Sequence, residues 1–537
     1  MKKEVLLFSF MVVVCCTGFA QSYNPHIRMN PSIERFLYRM QTRYGFDPGD
    51  IGTQPLSVQR VLETLDSLEH NVSLTSRERF DLQRLRKSIG AERGIYAYTH
   101  DDGELNLNAG LNLIGDMDGS LNSDAAGGRG IINPYFTGNI GALSFFAEID
   151  VWTEYRSDTL FNPSSYQPYD GVPYNLYGRN TEESNLRSSD LPRGGISYSQ
   201  GRIDLGLSID YLKWGPALHY PVTLSGQTPP VTAFRADLDL EILQYQHLAG
   251  LLQSQRDKRK YIYAHRLSGR WRNVQFGINE VIIGGSTTDR QPPEDPHNSL
   301  RHEYYGEERT LEIVYLIPFV PKVFIEHYIG DRDNAAISLD LNITLPANLR
   351  LYGEFHIDDI LSPWEIFSDD WGNKWALTWG LNWEGELYER DVSAGFEYSR
   401  VEPWVYTHFY GGSHRFTNFG QPLGNQLGPN SRAVLAWADM AISHRNRVGI
   451  RINSEERNPS ARGGSVEHVF QDEYPRRGTP DSETKQFLGP GTVHHLRPGI
   501  YWQFDQFGPF RVDALYELDV MEDRGRSTLH LYGGFYF

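Results

Sequence analysis

Cysteine is nearly absent. The 537-residue chain has two, Cys15 and Cys16, adjacent near its start. Nothing after them can form a disulfide, act as a thiol nucleophile or hold a metal through sulfur. Long apolar runs are missing as well: no stretch reaches ~18 consecutive apolar residues, which excludes a membrane-spanning helix. Positive charge is in deficit, with 51 Lys and Arg against 68 Asp and Glu and a formal net charge of −17. Such a surface makes nucleic acid an improbable partner. No nucleophile elbow, phosphate loop or zincin motif occurs, so nothing demands an enzyme, a catalytic residue or a cofactor. His494-His495 lacks nearby acid or cysteine spacing, and no metal site is expected.

What is present begins with Lys2 and Lys3, an apolar stretch from Val5 to Val14, and Gly18-Phe19-Ala20. That is the pattern of a secretory signal peptide, residues 1–20, cleaved after Ala20. Neither cysteine follows the small residue that lipid modification usually wants, so simple cleavage is expected. Mean hydropathy is −0.48. A soluble domain gives such a value, and so does a barrel whose lipid-facing residues alternate with polar ones. The 31 Tyr, 27 Phe, 11 Trp and 51 Gly suit a barrel with aromatic girdles.

From Asn30 to Ile89 the period is helical. Ile33, Phe36, Leu37, Met40 and Tyr44 share one helix face. A second helix follows Pro55, with Val58, Val61, Leu62, Leu65 and Leu68. Thr75 and Glu78 form a capping box ahead of a third, with Leu82, Leu85 and Ile89 inward. A separate helical domain is one reading. The short link Gly90–Gly94 favours a plug, residues 21–94, under a barrel of residues 95–537.

From Leu105 the period is two. Leu105, Leu107, Ala109, Leu111 and Leu113 alternate with Asn106, Asn108, Gly110 and Asn112. Leu143 to Trp152, Ile203 to Asp210, Ile337 to Leu345 and Trp375 to Glu386 alternate in the same way, with Trp375, Trp379 and Trp383 on the lipid face. Segments of ~9–11 residues match a tilted strand crossing hydrocarbon. The final residues put Leu529, Leu531, Gly533, Phe535 and Phe537 on one face, as a barrel's closing strand would. The short links Gln506–Pro509, His444–Asn446, Glu389–Asp391, Pro346–Asn348 and Pro318–Pro321 fall on the periplasmic side. The long links Glu456–Pro498, Pro403–Arg432, Asp358–Lys374 and Gly285–Glu308 fall outside. The fold class expected is therefore an all-β transmembrane barrel of about eighteen antiparallel strands with a small α-helical periplasmic plug. Ile95–Asp101 is left out of the count so that helices and C-terminus share one side. That count puts Lys213–Val231 on the periplasmic side, too long for a turn, so it either folds into the lumen or marks a misplaced strand.

Several stretches in order resemble the Wzi-type capsule assembly family of outer-membrane proteins, in its Bacteroidota-like form. They are Gln54-Pro55-Leu56-Ser57, Lys213-Trp214-Gly215-Pro216, Tyr263-Ala264-His265-Arg266-Leu267, Asn279-Glu280-Val281, Asp358-Asp359-Ile360-Leu361, and Leu423-Gly424 with Gly428-Pro429. The resemblance implies a barrel of approximately eighteen strands closed by periplasmic helices, acting as a carbohydrate-binding factor that attaches capsular polysaccharide to the cell surface.

Sugars are held by aromatic faces with carboxylates or amides for their hydroxyls. Candidates are Tyr166, Tyr169 and Tyr174 in one outer loop, Trp364, Asp369, Asp370 and Trp371 in a second, and Trp404 and Tyr406 in a third. Loop aromatics also serve to pack loops together. Trp214-Gly215-Pro216 reads as a bend where the chain turns into the lumen. Paired acids at 358–359 and 369–370 invite a glycosidase reading, but sequence neighbours need not face each other. Arg202, Arg235, Arg350, Arg447 and Arg451 are placed on lumen faces, where their field would be focused on a charged glycan. The function expected is retention or assembly of capsular polysaccharide at the outer membrane. The expected partners are that surface polysaccharide, outer-membrane lipid and, during biogenesis, the barrel assembly machinery. A porin for small solutes is the alternative, and a surface hydrolase a weaker one. The register is tested by substitution: Leu205→Arg should cost ~2–4 kcal/mol if near the midplane, and Asp204→Ala should be tolerated. A heat-modifiability assay separating folded barrel from unfolded chain should show the difference.

Overall fold

The computed structural model describes residues 25–27, 31–45, 51–90, 94–101, 105–157, 186–253, 259–287, 308–330, 332–408, 410–470, 481–521 and 524–537. The leader expected at 1–20 lies outside them. Period-two alternation becomes eighteen strands. The first nine are β1 Leu105–Ser120, β2 Ala126–Ile140, β3 Leu143–Arg156, β4 Leu186–Gln200, β5 Ile203–Asp210, β6 Val231–Asp239, β7 Leu243–Gln253, β8 Arg259–Trp271 and β9 Val274–Gly285. The rest are β10 Asn334–Leu345, β11 Leu349–Asp359, β12 Lys374–Leu387, β13 Arg390–Val401, β14 Ser431–Ala441, β15 Asn446–Arg457, β16 Val493–Phe504, β17 Phe510–Met521 and β18 Arg524–Tyr536. Each pairs antiparallel with the next, and β18 closes the ring on β1 from Thr528↔Ser120 to Tyr536↔Asn112. Closure leaves no unpaired edge, which hydrocarbon requires. Tyr96–Thr99 pairs with residues 106–109 of β1, continuing the line of β18 and adding no further strand.

The faces follow the alternation. Leu113, Ile149, Leu207, Leu339, Trp379 and Phe535 are exposed on the outside, while Asn112, Asp150, Ser208, Asp340 and Asn382 are buried inside. The short links 141–142, 201–202, 240–242, 272–273, 346–348, 388–389, 442–445 and 505–509 lie at one end, with the C-terminus. The strand ends from which the long connections leave, Arg156, Gly285, Asp359, Val401 and Arg457, lie at the other.

Two expectations are corrected. Residues 211–230 join β5 to β6 at the long-connection end, not at the end of the short turns, because β6 to β9 are four strands joined by brief links. Pro318–Pro321 is not a turn between two wall strands. It joins a 3-10 turn, Ile313–Leu316, to a helix, Lys322–Ile329, whose last residue is followed by Gly330 at φ 111°.

Three helices stand across the short-turn end: α1 Pro31–Tyr44, α2 Val58–Asn71 and α3 Ser76–Ile89. The reciprocal Thr75–Glu78 capping box is present. Phe36, Leu37, Met40, Val61, Leu65, Leu68, Leu82 and Leu85 form one apolar core with Phe507 of the β16–β17 turn. Arg84 reaches Asp505 at 2.7 Å and Arg43 reaches Asp391 at 2.8 Å, tying the helices to the barrel rim. Helix α1 enters the lumen, with the Arg350 guanidinium 3.6 Å from the Tyr38 ring centroid and Gln41 accepting from Asn342 at 2.9 Å.

From the opposite end residues 211–226 also fold into the lumen. Lys213–Trp214 pairs with Thr53–Gln54 and with Leu224–Ser225. Glu354 on β11 accepts from the backbone N–H of Ala217 and Val222, each at 2.8 Å. Glu397 on β13 accepts from Leu218, His219 and Tyr220 at 3.0, 3.0 and 2.7 Å. Gly215 makes the bend at φ 128°, and a Cβ there would lie 2.1 Å from the Glu354 carboxylate. Gly215→Ala should therefore cost ~1–3 kcal/mol. The expected result is a lower midpoint in the heat-modifiability transition, with Gly412→Ala, which meets open space, unchanged.

Candidate functional site

The inward elements do not fill the ring evenly. The segment ahead of α1, α1 itself and the inward loop hold the walls from β3 to β13, through contacts such as His26 with Phe146 and Arg43 with Asp391, and Tyr220 of the loop also reaches Asn453 and Glu455 toward the far end of β15. The walls from β14 to β18 and β1 are left facing a chamber of about 270 Å³. Its lining includes Trp437, Arg451, Tyr501, Gln503, Asp513, His530, Tyr532, Asp116 and Asp118, with Arg35 of α1 and His219 of the inward loop. All the strand residues named stand at inward positions of the alternation, where a pleated wall places them side by side.

Much of the charge there is already matched. Arg451 meets Glu517 at 2.5 Å, His530 meets Asp118 at 2.5 Å and Arg129 meets Asp116 at 2.8 Å. Tyr501 donates to Asp439 at 2.5 Å. The His219 ring lies edge-on to Trp437, with centroids 5.0 Å apart, and its Nε2 is buried with no hydrogen-bond partner among the described residues. Burial first, then the neighbouring Arg35, Arg451 and Lys213 charges, hold the His219 pKa well below the ordinary histidine value. The imidazole is therefore neutral at neutral pH and offers one donor and one acceptor. Aromatic faces beside carboxylates, an amide and a neutral imidazole suit a polyhydroxylated ligand.

At the mouth, three long connections zip together. Trp371 stacks on Phe470 with centroids 3.6 Å apart and planes 8° from parallel, and Trp404 meets Phe470 edge-on at 5.3 Å. The N–H of Trp371 donates to Glu483 and that of Lys485 to the Asp369 carbonyl, at 2.8 and 2.7 Å. Tyr406 is fully buried, donating to the Val222 carbonyl at 2.7 Å, with its own N–H on Asp358 at 2.6 Å. Trp371, Trp404 and Tyr406 thus pack loops together. Asp370 accepts from Gly372 N–H at 2.9 Å and is held in the loop, while Asp369 is exposed and Trp364 is 94% exposed. Tyr166, Tyr169 and Tyr174 lie outside the described residues.

The acid pairs do not converge. Asp358 is buried against Tyr406, and Asp359 meets Lys374 at 3.2 Å on the other side of the strand. Trp375, on the outward face, is buried beneath Phe367 at 5.3 Å, while Trp379 remains open.

Four of the five arginines point inward. Arg235 meets Asp237 at 2.9 Å, Arg350 donates to Pro216 O at 2.7 Å, Arg447 meets Asp439 at 2.9 Å, and Arg451 meets Glu517. Arg202 is corrected. It occupies the tight β4–β5 turn, exposed and paired with Glu241, because the turn ends the strand's alternation one residue before β5 begins. Of the chamber residues named, Arg451 was among the expected lumen-facing arginines, and the others were missed. Their signal was that Trp437, Tyr501 and Tyr532 occupy inward positions that elsewhere carry Ser, Asn or Asp.

Among solved structures the chain is similar to Wzi of Escherichia coli, an outer-membrane protein involved in group 1 capsule assembly and a carbohydrate-binding β-barrel. That match has a TM-score of 0.60 and 12% identity, covering 96% of this chain and 100% of that one. Pseudomonas aeruginosa OpdK with vanillate matches at TM-score 0.44 and 9% identity, covering 80% and 98%. OprD of the same organism matches at 0.41 and 10%, covering 83% and 98%. No family model and no curated protein matches the chain. The chain has the fold of the Wzi barrel.

Proposed function

We propose that the protein is an outer-membrane barrel that binds a surface polysaccharide and helps hold it on the cell, without cleaving it. On this reading residues 1–20 are a cleaved leader, and residues 21–94 form a periplasmic plug beneath a barrel of residues 95–537. The long connections face outward. Its other partners are outer-membrane lipid and, during biogenesis, the barrel assembly machinery.

The observation that carries the reading is the interior. Helices cross one end, a loop riveted to the wall fills one side, and the remaining space is a chamber lined by Trp437, Tyr501, Tyr532 and polar hydrogen-bonding groups. That is an arrangement for holding a hydroxyl-rich ligand more than for passing solutes. The fold of a barrel that binds carbohydrate adds support. Arg235, Arg447 and Arg451 are paired with acids, so recognition through hydroxyls and ring faces is favoured over recognition of a polyanion.

Deleting the gene should leave polymer synthesis intact and shift capsule from the cells to the medium. Loss from both fractions would place the protein in synthesis or export instead. In planar bilayers the intact chain should conduct poorly, and deletion of residues 31–89 should raise conductance if the barrel survives. Large steady currents through the intact chain would favour the porin reading.

Binding of purified glycan separates rim from chamber. Tyr532→Ala should weaken binding by ~1 kcal/mol, about fivefold, with Trp364→Ala nearly neutral. The reverse pattern would move the site to the rim.

A further inference from the structure

The connection between β9 and β10 returns to the wall that it leaves. The N–H of Glu312 donates to Tyr263 Oη at 2.7 Å, that of Phe319 to Tyr245 Oη at 2.9 Å, and that of Lys322 to Glu280 Oε2 at 2.6 Å. Tyr245, Tyr263 and Glu280 alternate with the inward Gln246, Ile262 and Asn279, so they belong to the outer face of the barrel. The segment spans most of the wall's height. Tyr245 is near the short-turn end of β7, and Asp333 lies over Gly284 near the long-connection end of β9.

One side of this segment packs on the barrel, with Tyr315 and Ile325 against Ala249, Tyr261, Tyr263 and Ile282. The other side is bare and apolar: Ile313, Phe319, Phe324 and Tyr328 are 74, 63, 68 and 86% exposed. Beneath it lies a polar patch unlike the rest of the outer wall. His265 meets Glu280 at 2.7 Å, and His247 is buried with Nδ1 lacking a hydrogen-bond partner among the described residues. Hydrocarbon cannot satisfy such groups. Beside the segment the outer wall resumes its apolar character at Leu267, Ile278 and Leu339.

We propose that residues 309–330, with Arg332 and Asp333, form a flap embedded in the bilayer. Its wall-facing side covers the His265–Glu280 patch, and its bare apolar side contacts lipid acyl chains. The occupant follows from continuity. The bare face of the flap extends the apolar belt of the strands beside it, and in water it would be a large exposed apolar patch. The proposal rests on the membrane reading above and adds to it a non-strand element within the hydrocarbon, tolerated because its backbone donors are met by wall side chains.

Single cysteines in an otherwise cysteine-free chain (Cys15→Ser, Cys16→Ser) test this in reconstituted vesicles. Phe324→Cys and Tyr328→Cys are compared with Ile149→Cys on the outer face of β3 and with Trp364→Cys at the mouth. A bimane probe at 324 and 328 should be quenched by doxyl-labelled acyl chains as strongly as one at 149. Reaction of 324 and 328 with a hydrophilic maleimide should be roughly tenfold slower or more than at 364, since water is excluded from the hydrocarbon. Quenching at 149 with fast labelling and no quenching at 324 and 328 would overturn the flap and leave the membrane reading intact. Absence of quenching at 149 as well would overturn both. Efficient Phe324→Cys cross-linking between copies, without quenching, would assign the face to a second copy of the chain and overturn the lipid contact.

Discussion

Two wall carboxylates carry more of this structure than any other groups. Glu354 and Glu397 are buried on the inner face of the barrel and between them accept five backbone N–H groups from residues 217–222. A loop inside a barrel has no ladder to satisfy its backbone, and a buried carboxylate has no water. Each supplies what the other lacks. Tyr352 donates a further bond to Glu397 at 2.7 Å, and Arg350 holds the Pro216 carbonyl. Once the loop is fixed there, Trp214, Val222 and Leu224 can pack on Leu248, Ile262, Ala264, Val281 and Ile283. Tyr406 then brings the β13–β14 connection down onto the same cluster.

The lumen is consequently two environments. Toward the long-connection end, inner residues of β6 to β10 such as Val231, Leu248, Ile262, Val281 and Ala336 pack like the core of a soluble domain together with Ala376 and Val401, while β11 keeps Glu354, His356 and Asp358 buried beside them. From β14 round to β1 the inner wall keeps charged and aromatic residues around open space. A simple polar-inside rule holds for the second half and is broken at those apolar positions of the first, because there the neighbour of the inner wall is protein and not water.

Most of the barrel was legible because alternation survives averaging over many strands. The closing strand, the Thr75–Glu78 box and the short turns at Pro346–Asn348 and Glu389–Asp391 each rest on a local rule. The bend at Trp214-Gly215-Pro216 was legible as a bend, yet its destination depended on counting strands upstream and downstream. The flap was misread for a physical reason. Lys322–Ile329 is only eight residues long and mixes Lys322, Glu326 and His327 with apolar residues, too short a run for a helical period to stand out. The mouth tryptophans were visible as residues but not as partners, because Phe470 lies far from Trp371 in sequence. The chamber was the least legible feature. Alternation assigns a residue to the inside, but only closure of β18 on β1 brings Tyr532 and Asp116 near Trp437.

The interior charges show how a barrel can be strongly polar inside without presenting a strong field. Arg193 on β4 meets Glu148 on β3 at 2.9 Å and Asp210 on β5 at 2.5 Å. Arg266 on β8 reaches across β9 to Asp340 on β10, with Asn279 donating to the same carboxylate at 3.0 Å. Arg497 on β16 joins Glu455 on β15 at 2.7 Å and Asp519 on β17 at 3.3 Å. These links run across neighbouring strands, so they fix lateral registry while cancelling charge locally. Removing one partner would leave a buried charge uncompensated, which costs more than the pair contributes. Such charges are structural, and they leave the overall surplus of acid to the rest of the molecule. On the polysaccharide reading, affinity then has to come from ring faces and hydroxyl hydrogen bonds, the chemistry that Trp437, Tyr501, Tyr532 and His219 bring to the chamber.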